Sequence, residues 1–242
     1  MGVPSDVLSI ANPSVDVPVT NARSVLVVTA SGGPNLLLAG PPAGFTRRCV
    51  VGKVSEGGFV VTNPIGGSNV QFDVLVNAFV YAARTSDLAA DTDLGFGQSV
   101  YLAPGDTLNG TYTSGTSALH WGISYVDFPL SQLVAFDVPL INGDTIVVPT
   151  PPTGKSHILD SVGENGPEIR VYNPGSNTPA YFSKVNGVQL TGSGTIAPGA
   201  AGNVIVNQGL AIDDVTVSLA INADATGARA HGAYWVIDKG SN

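Results

Sequence analysis

The chain has 242 residues, a net charge of −8, 43% hydrophobic residues and only 12% charged ones. Divided at Pro129, each half carries five Lys/Arg and nine Asp/Glu, so no basic half exists and direct nucleic-acid binding is not expected. Cys49 is the single cysteine, which excludes an intramolecular disulfide and a cysteine-rich metal site.

Met1–Asp6 lacks a basic n-region and an apolar h-region, and no apolar run reaches the roughly 18–20 residues of a membrane span. The expectation is a soluble chain made in a cytoplasm. Residues 1–23 read as an extended arm or an edge segment, with disorder as the alternative, because Pro4, Pro13 and Pro18 fix φ and remove donors while Val15-Asp16-Val17 is strand-like. Val15, Val17 and Pro18 are its candidate interface residues.

Residues 24–129 read as short strands divided by turn chemistry. Ser24–Thr29, Asn35–Ala39 and Thr46–Val54 are β-branched and apolar, with Ser31-Gly32-Gly33-Pro34 and Pro41-Pro42-Ala43-Gly44 between them. Val70–Tyr81 places Phe72, Val74 and Val76 on one face by period two. Ala82–Gly97 reads as an excursion, with Ser86 an N-cap for one or two helical turns. Leu88, Leu94 and Phe96 within it are candidate interface residues. Ser99–Leu102, the Ala103-Pro104-Gly105-Asp106 turn and Ala118–Phe128 complete the module, and Leu119, Trp121, Ile123 and Tyr125 of the last strand share a core-like face.

Residues 130–242 repeat the plan. Pro151-Pro152-Thr153-Gly154, Asn173-Pro174, Phe182 and Gly232-Ala233-Tyr234 echo Pro41-Pro42-Ala43-Gly44, Asn63-Pro64, Phe72 and Gly122-Ile123-Ser124-Tyr125, each 110 positions on. Ala197-Pro198-Gly199 echoes Ala103-Pro104-Gly105 at 94 positions, which predicts that 16 residues were exchanged between the modules and that Asp214–Ile221 is an added strand. Asn142-Gly143 and Asn186-Gly187 read as hairpin turns. The fold class is therefore all-β: two tandem antiparallel β-sandwich or jelly-roll modules, 24–129 and 130–242, behind the arm.

Candidate chemistry is sparse. His120, His157 and His231 lack short-range zinc-ligand spacing. Asp87, Asp91 and Asp93 supply carboxylates for calcium or form a solvated loop, without the glycine and terminal glutamate of an EF-hand. Asp213-Asp214 and Glu164/Glu168 could form a glycosidase carboxylate pair, and no Gly-x-Ser-x-Gly elbow is present. Cys49, beside Arg47 and Arg48, is either a small core residue or an activated thiol. No catalytic residue and no cofactor is expected.

The run Val100-Tyr101-Leu102-Ala103-Pro104-Gly105-Asp106-Thr107-Leu108, followed by His120-Trp121-Gly122-Ile123-Ser124-Tyr125-Val126, resembles the small β-sandwich modules of tailed-bacteriophage virion proteins, capsid decoration (cement) proteins above all. That resemblance implies a non-enzymatic building block of the virion, made in the host cytoplasm. It implies a homo-oligomer, a trimer by preference, that binds the major capsid protein or other virion proteins, with no nucleic acid and no membrane. A tail, collar or fibre-associated protein and a glycan-binding receptor-recognition protein are the alternatives, and a hydrolase is a third class.

Overall fold

The computed structural model describes residues 22–49, 59–96, 99–163, 166–185, 188–189, 194–205, 217–221 and 227–239. The protein is all-β, built from several small antiparallel sheets, and no helix occurs among the described residues. Among the described residues no helix is long and apolar enough to cross a membrane.

The first ten strands are β1 (Arg23–Thr29), β2 (Asn35–Ala39), β3 (Phe45–Cys49), β4 (Val60–Asn63), β5 (Val70–Val76), β6 (Phe79–Leu88), β7 (Thr92–Gly95), β8 (Val100–Leu102), β9 (Thr107–Ser114) and β10 (Leu119–Pro129). They form sheet I, in the order β7-β4-β10-β3-β8 with β1 also on β10, and sheet II, in the order β2-β9-β5-β6. The remainder are β11 (Leu133–Pro139), β12 (Gly143–Val148), β13 (Lys155–Leu159), β14 (Ser161–Gly163), β15 (Gly166–Tyr172), β16 (Ala180–Val185), β17 (Val188–Gln189), β18 (Gly194–Thr195), β19 (Ala201–Ile205), β20 (Val217–Ile221) and β21 (Arg229–Asp238). Sheet III runs β11-β21-β15-β14, with β13 on β21 and β19 on β15; sheet IV runs β12-β20-β16-β17, with β18 on β16. Strands before Pro129 pair only with one another, and so do those after it, among the described residues.

Period-two alternation explains both cores. In β5, Val70, Phe72, Val74 and Val76 are buried while Gln71, Asp73 and Leu75 are half-buried. They meet Leu119, Trp121 and Ile123 of β10, where Phe72 sets its ring edge-on to Trp121 at 5.1 Å. The Trp121 indole N–H is satisfied by Thr29 Oγ1 at 2.9 Å. The second core gathers Val147, Val148, Leu159, Ile169, Val171, Tyr181, Val204 and Ala230.

The two cores are one plan, and inward-facing positions give its true spacing. Val25 and Val27 of β1 are matched by Phe136 and Val138, 111 positions on. Leu37, Leu38, Cys49, Phe59 and Val61 are matched by Val147, Val148, Leu159, Ile169 and Val171, 110 on. Phe72 and Trp121 are matched by Tyr181 and Ala230, 109 on, and Leu88 and Phe96 by Ile196 and Val204, 108 on. Strand registers agree: Trp121 lies opposite Val27 and Val61, and Ala230 opposite Val138 and Val171. Asn63 and Asn173 repeat as buried anchors; the first amide donates to Ser68 O and Leu88 O, the second to Asn177 O and Ile196 O.

Several expectations change here. The described part of Ala82–Gly97, up to Phe96, is no helical excursion: β6 runs through Ser86 to Leu88, and β7 follows after a turn at Asp91, whose φ is 57°. Its counterpart is the turn at Gly199, φ 68°, before β19. The 94-residue echo is therefore a coincidence of turn chemistry, because Pro followed by Gly suits any tight reversal. No 16-residue exchange separates the halves, and β20, the described part of Asp214–Ile221, pairs with β12 and β16 as β9 pairs with β2 and β5. Asn142-Gly143 carries the chain from sheet III to sheet IV and makes no hairpin. The arm residues Val15, Val17 and Pro18, and Asn186-Gly187, lie outside the described residues.

Gly115 leads from β9 into β10 at φ 85°, and a Cβ there would lie 2.2 Å from the Asn69 carbonyl oxygen. Gly115→Ala is expected to lower stability by more than about 1 kcal/mol, measured as a shifted urea midpoint at unchanged m-value.

Candidate functional site

A cluster of polar and aromatic side chains lies on the seam between the two halves. It forms where the outer face of sheet III covers the open side of sheets I and II. The free edges there are β8 of sheet I and β6 of sheet II. An uncovered strand edge is a row of unpaired donors and acceptors, and covering it with another element removes that hazard.

Sheet III contributes Leu133, Ala135, Tyr172, His231, Ala233 and Trp235. Phe79 sets its ring edge-on to Tyr172 at 5.6 Å, and Phe128 does the same to Trp235 at 5.0 Å. Arg170 of β15 donates from Nε to the Tyr81 carbonyl of β6 at 2.7 Å, and from Nη1 to Asn203 Oδ1 at 2.8 Å. The Ala135 N–H donates to Thr46 Oγ1 at 3.2 Å. Thus β6 and β3 are tied to sheet III by hydrogen bonds as well as by apolar burial.

Asp160 is the charged centre. Its carboxylate is 3% exposed, lies 2.8 Å from Arg48 Nε, and accepts the Tyr101 hydroxyl at 2.7 Å. Burial, and then the Asp160 charge, raise the Tyr101 phenol well above its usual range, so Tyr101 stays a donor. Period two explains why Arg48 reaches the seam while Arg47 does not. Arg47 shares the side of β3 occupied by Cys49, binds both oxygens of Asp127 at 2.7 and 2.8 Å, and stacks over Tyr125 at 4.1 Å.

His231 is 1% exposed and packed among Phe79, Tyr81 and Tyr101, with centroid distances of 5.6, 5.6 and 6.4 Å. Neither ring nitrogen makes a well-formed hydrogen bond among the described residues; the Tyr101 backbone approaches without that geometry. Burial depresses its pKa, while Asp137 and Asp106 pull it up and Arg229 pushes it down. The ring is therefore held neutral in an aromatic site.

The predicted site residues are dispersed. Asp87 accepts from Asn69 and Gln71, Asp93 accepts from Thr62, and Asp91 forms the turn between them. Among the described residues no three His, Cys, Asp or Glu side chains converge on a metal-sized site. Leu88 is 3% exposed within the first core, and Leu94 and Phe96 pack against that core, so none of the three is an exposed contact. The physical reason is that the segment forms strands β6 and β7, whose inward positions face the core. Cys49 is 1% exposed, and burial pushes its thiol up to about 12, which makes it a core residue and not a nucleophile. His157 is buried, with Nδ1 2.9 Å from Pro149 O, and His120 is half-buried. Asp213, Asp214 and Glu164 lie outside the described residues.

Sequence reading missed Arg48, Tyr101, Asp160 and Arg170. The only available signal was the Arg47-Arg48 pair, since adjacent strand residues point to opposite faces and both faces must then be buried to hold them.

No protein-family model matches the chain, and no curated protein matches it. Among solved structures it is similar to PA5104, a conserved protein of unknown function from Pseudomonas aeruginosa PAO1, at 13% identity and a TM-score of 0.26, over 90% of this chain and 81% of that one. It is similar to HutD from Pseudomonas fluorescens SBW25 at 11% identity and a TM-score of 0.20, over 91% and 80%. It is also similar to Ylba from E. coli at 9% identity and a TM-score of 0.21, over 92% and 80%. At these scores the likeness lends neither fold nor activity to this chain. The resemblance to phage decoration proteins is corrected here: these three solved structures come from Pseudomonas aeruginosa, Pseudomonas fluorescens and E. coli, and no family model links the chain to phage proteins. The capsid, tail and glycan-receptor roles attached to it go with it. The quoted motif was turn chemistry: Gly105 and Gly199 both close an Ala-Pro-Gly reversal with positive φ at different places in the frame.

Asp160→Ala leaves Arg48 and Tyr101 buried without their acceptor and is expected to cost about 3 kcal/mol in urea unfolding. The depressed pKa of His231 means that the unfolded chain binds the extra proton. Stability should be fully present above the ordinary histidine pKa of about 6.5 and fall below it, by at most about 1.4 kcal/mol per pH unit. His231→Leu should remove that share of the slope between pH 7.5 and 5.5, leaving the smaller part from His157, whose pKa burial also lowers.

Proposed function

We propose that the chain is a non-catalytic structural protein that works by self-association: two tandem β-sandwich, jelly-roll-like modules, residues 24–129 and 130–242, joined into one stiff unit by the seam. One observation carries the reading. The groups with chemical potential among the described residues are consumed by packing, whereas the most exposed apolar side chains of sheet I, Leu26 (73% exposed) and Val28 (59% exposed), lie side by side on the outer face of β1.

The first half of that observation argues against catalysis. Cys49 is sealed, His231 is wedged between aromatic rings, and Tyr101 and Arg48 both meet the buried Asp160 carboxylate. An active site needs a reactive group open to substrate, with a perturbed pKa that serves the reaction. The perturbed groups here are perturbed by burial inside the fold.

The second half argues for a protein partner. Among the described residues β1 pairs with β10 alone, and its outer face adds apolar surface. Open edges and apolar patches are contact surfaces unless something protects them. β1 carries neither proline nor lysine, and Arg23 at its start is its one charge. A homo-oligomer is the simplest partner for such a face.

Light scattering coupled to size-exclusion chromatography should give a mass that is a multiple of the 24.6 kDa chain. A monomer throughout the micromolar to millimolar range would overturn the reading.

A further inference from the structure

No strand ladder crosses the seam among the described residues: the strands of each half pair within that half. What crosses it is side-chain contact. Tyr101 and Arg48 reach Asp160, Arg170 reaches the Tyr81 carbonyl, and the Ala135 N–H reaches Thr46 Oγ1. Aromatic rings fill the space between, Phe79 against Tyr172 and Phe128 against Trp235. A contact of that kind can part as a unit while the ladders on either side stay paired. Leu130-Ser131-Gln132, between β10 and β11, keeps the halves joined when it does.

His231 stands inside this contact. On its own sheet it lies opposite Asp137 of β11 and Arg170 of β15, and across the seam it meets Phe79 and Tyr81 of β6 and Tyr101 of β8. The charges around it are engaged elsewhere. Asp137 accepts from Arg229 of β21 at 2.8 Å, Asp106 accepts from Asn77 and from the Ala103 N–H at 2.7 Å each, and Arg170 donates to the Tyr81 carbonyl and to Asn203. The Tyr101 hydroxyl is given to Asp160. A neutral imidazole has one donor nitrogen, whereas the charged ring has two, and among the described residues neither nitrogen meets a partner with hydrogen-bond geometry. Burial outweighs the pull of Asp137 and Asp106, so the closed seam disfavours the proton. Opening the seam removes the burial and lets water accept both N–H groups.

We propose that the seam is an acid-opened contact with His231 as its trigger: in mildly acidic solution the ring takes a proton from solvent, sheet III parts from β6 and β8, and the sheets of each half stay paired. In the open form the ring titrates as an ordinary histidine, at about 6.5. Proton binding to that form multiplies the ratio of open to closed chains, by up to about 30-fold between about pH 7.5 and about pH 5. The closed form covers the edges of β6 and β8 with the Tyr172–Trp235 face of sheet III. The open form presents both to solvent, so acid turns an internal contact into two accessible surfaces. The contact lies within one chain and does not depend on self-association.

Amide hydrogen exchange of the full chain tests this. The Ala135 amide reports the seam, because its acceptor Thr46 belongs to the other half. The amides of β5, a strand paired on both sides in sheet II, report unfolding of the whole chain. Protection factors corrected for the intrinsic pH dependence of exchange are compared at about pH 7.5 and about pH 5. Ala135 should exchange through an opening smaller than global unfolding, with protection at least about tenfold below that of β5 and a weaker urea dependence. Its protection should fall by up to about 30-fold in acid. His231→Leu and His231→Gln should each abolish that fall. His157→Asn should keep it, because His157 is packed against Tyr234 and Pro149 within the second half. Equal protection at Ala135 and β5 would mean that only whole-chain unfolding parts the seam. A fall that survives both His231 variants would place the trigger elsewhere. Either result, or an Ala135 amide indifferent to pH, would overturn the proposal.

Discussion

The constraint on which the rest of the molecule depends is the open side of the first half. Sheets I and II end at β8 and β6, and both edges would expose backbone donors and acceptors to other chains. Sheet III lies across them. The Arg170 guanidinium meets the Tyr81 carbonyl of β6, and the Asp160 carboxylate gathers Arg48 of β3 and Tyr101 of β8. Removing sheet III would take the Asp160 carboxylate from Arg48 and Tyr101 and the Arg170 guanidinium from the Tyr81 carbonyl at once. The two halves are therefore independent in hydrogen-bonded sheets but not in stability, and Leu133, Ala233 and Trp235 count among the residues of the first core.

That arrangement has a polar cost. A buried Asp–Arg pair gains little over apolar packing of the same volume, but its ends fit only one another. It therefore fixes the register of the seam more than it stabilises it. His231 adds the opposite kind of term. Among aromatic rings and, among the described residues, without a well-formed hydrogen bond, its neutral form is the favoured one. The seam is thus specified by one ion pair and weakened by acid at one ring.

The all-β class was legible from period two and turn residues, and so was the core face of β10, where Leu119, Trp121 and Ile123 are buried as their alternation indicates. The duplication was legible too, but its phase was not. Matching letters at 110 positions aligned Gly122 with Gly232 and Phe72 with Phe182, whereas burial aligns Gly122 with His231 and Phe72 with Tyr181. A one-residue slip exchanges the two faces of a strand, so an error of one position is an error about inside and outside. Identical turns misled for the same reason: Ala-Pro-Gly reports φ and ψ, not position in a frame. The seam was not legible at all, because Asp160, Tyr101 and Arg48 are 59 and 112 residues apart and no local pattern marks residues that meet across a fold.

The drift of the repeat has a structural consequence. Shifts of a single residue, 111 at β11 and 109 at β21, compensate within one ladder: Val134 opposes Tyr234 as Arg23 opposes Tyr125. The ladder therefore keeps its pairing while the residues presented on each face change. On the first copy of the frame the outer positions of β10 are His120, Gly122 and Ser124, small or polar; on the second they are Arg229, His231 and Ala233, with Trp235 beyond. Duplicated backbones with divergent outer faces give one half a surface suited to an internal partner and leave the other half's outer face small or polar at the matching positions. The hydrophobic cores had to stay alike for both halves to fold, so functional difference between them can reside only on those outer faces and on the edges that meet them.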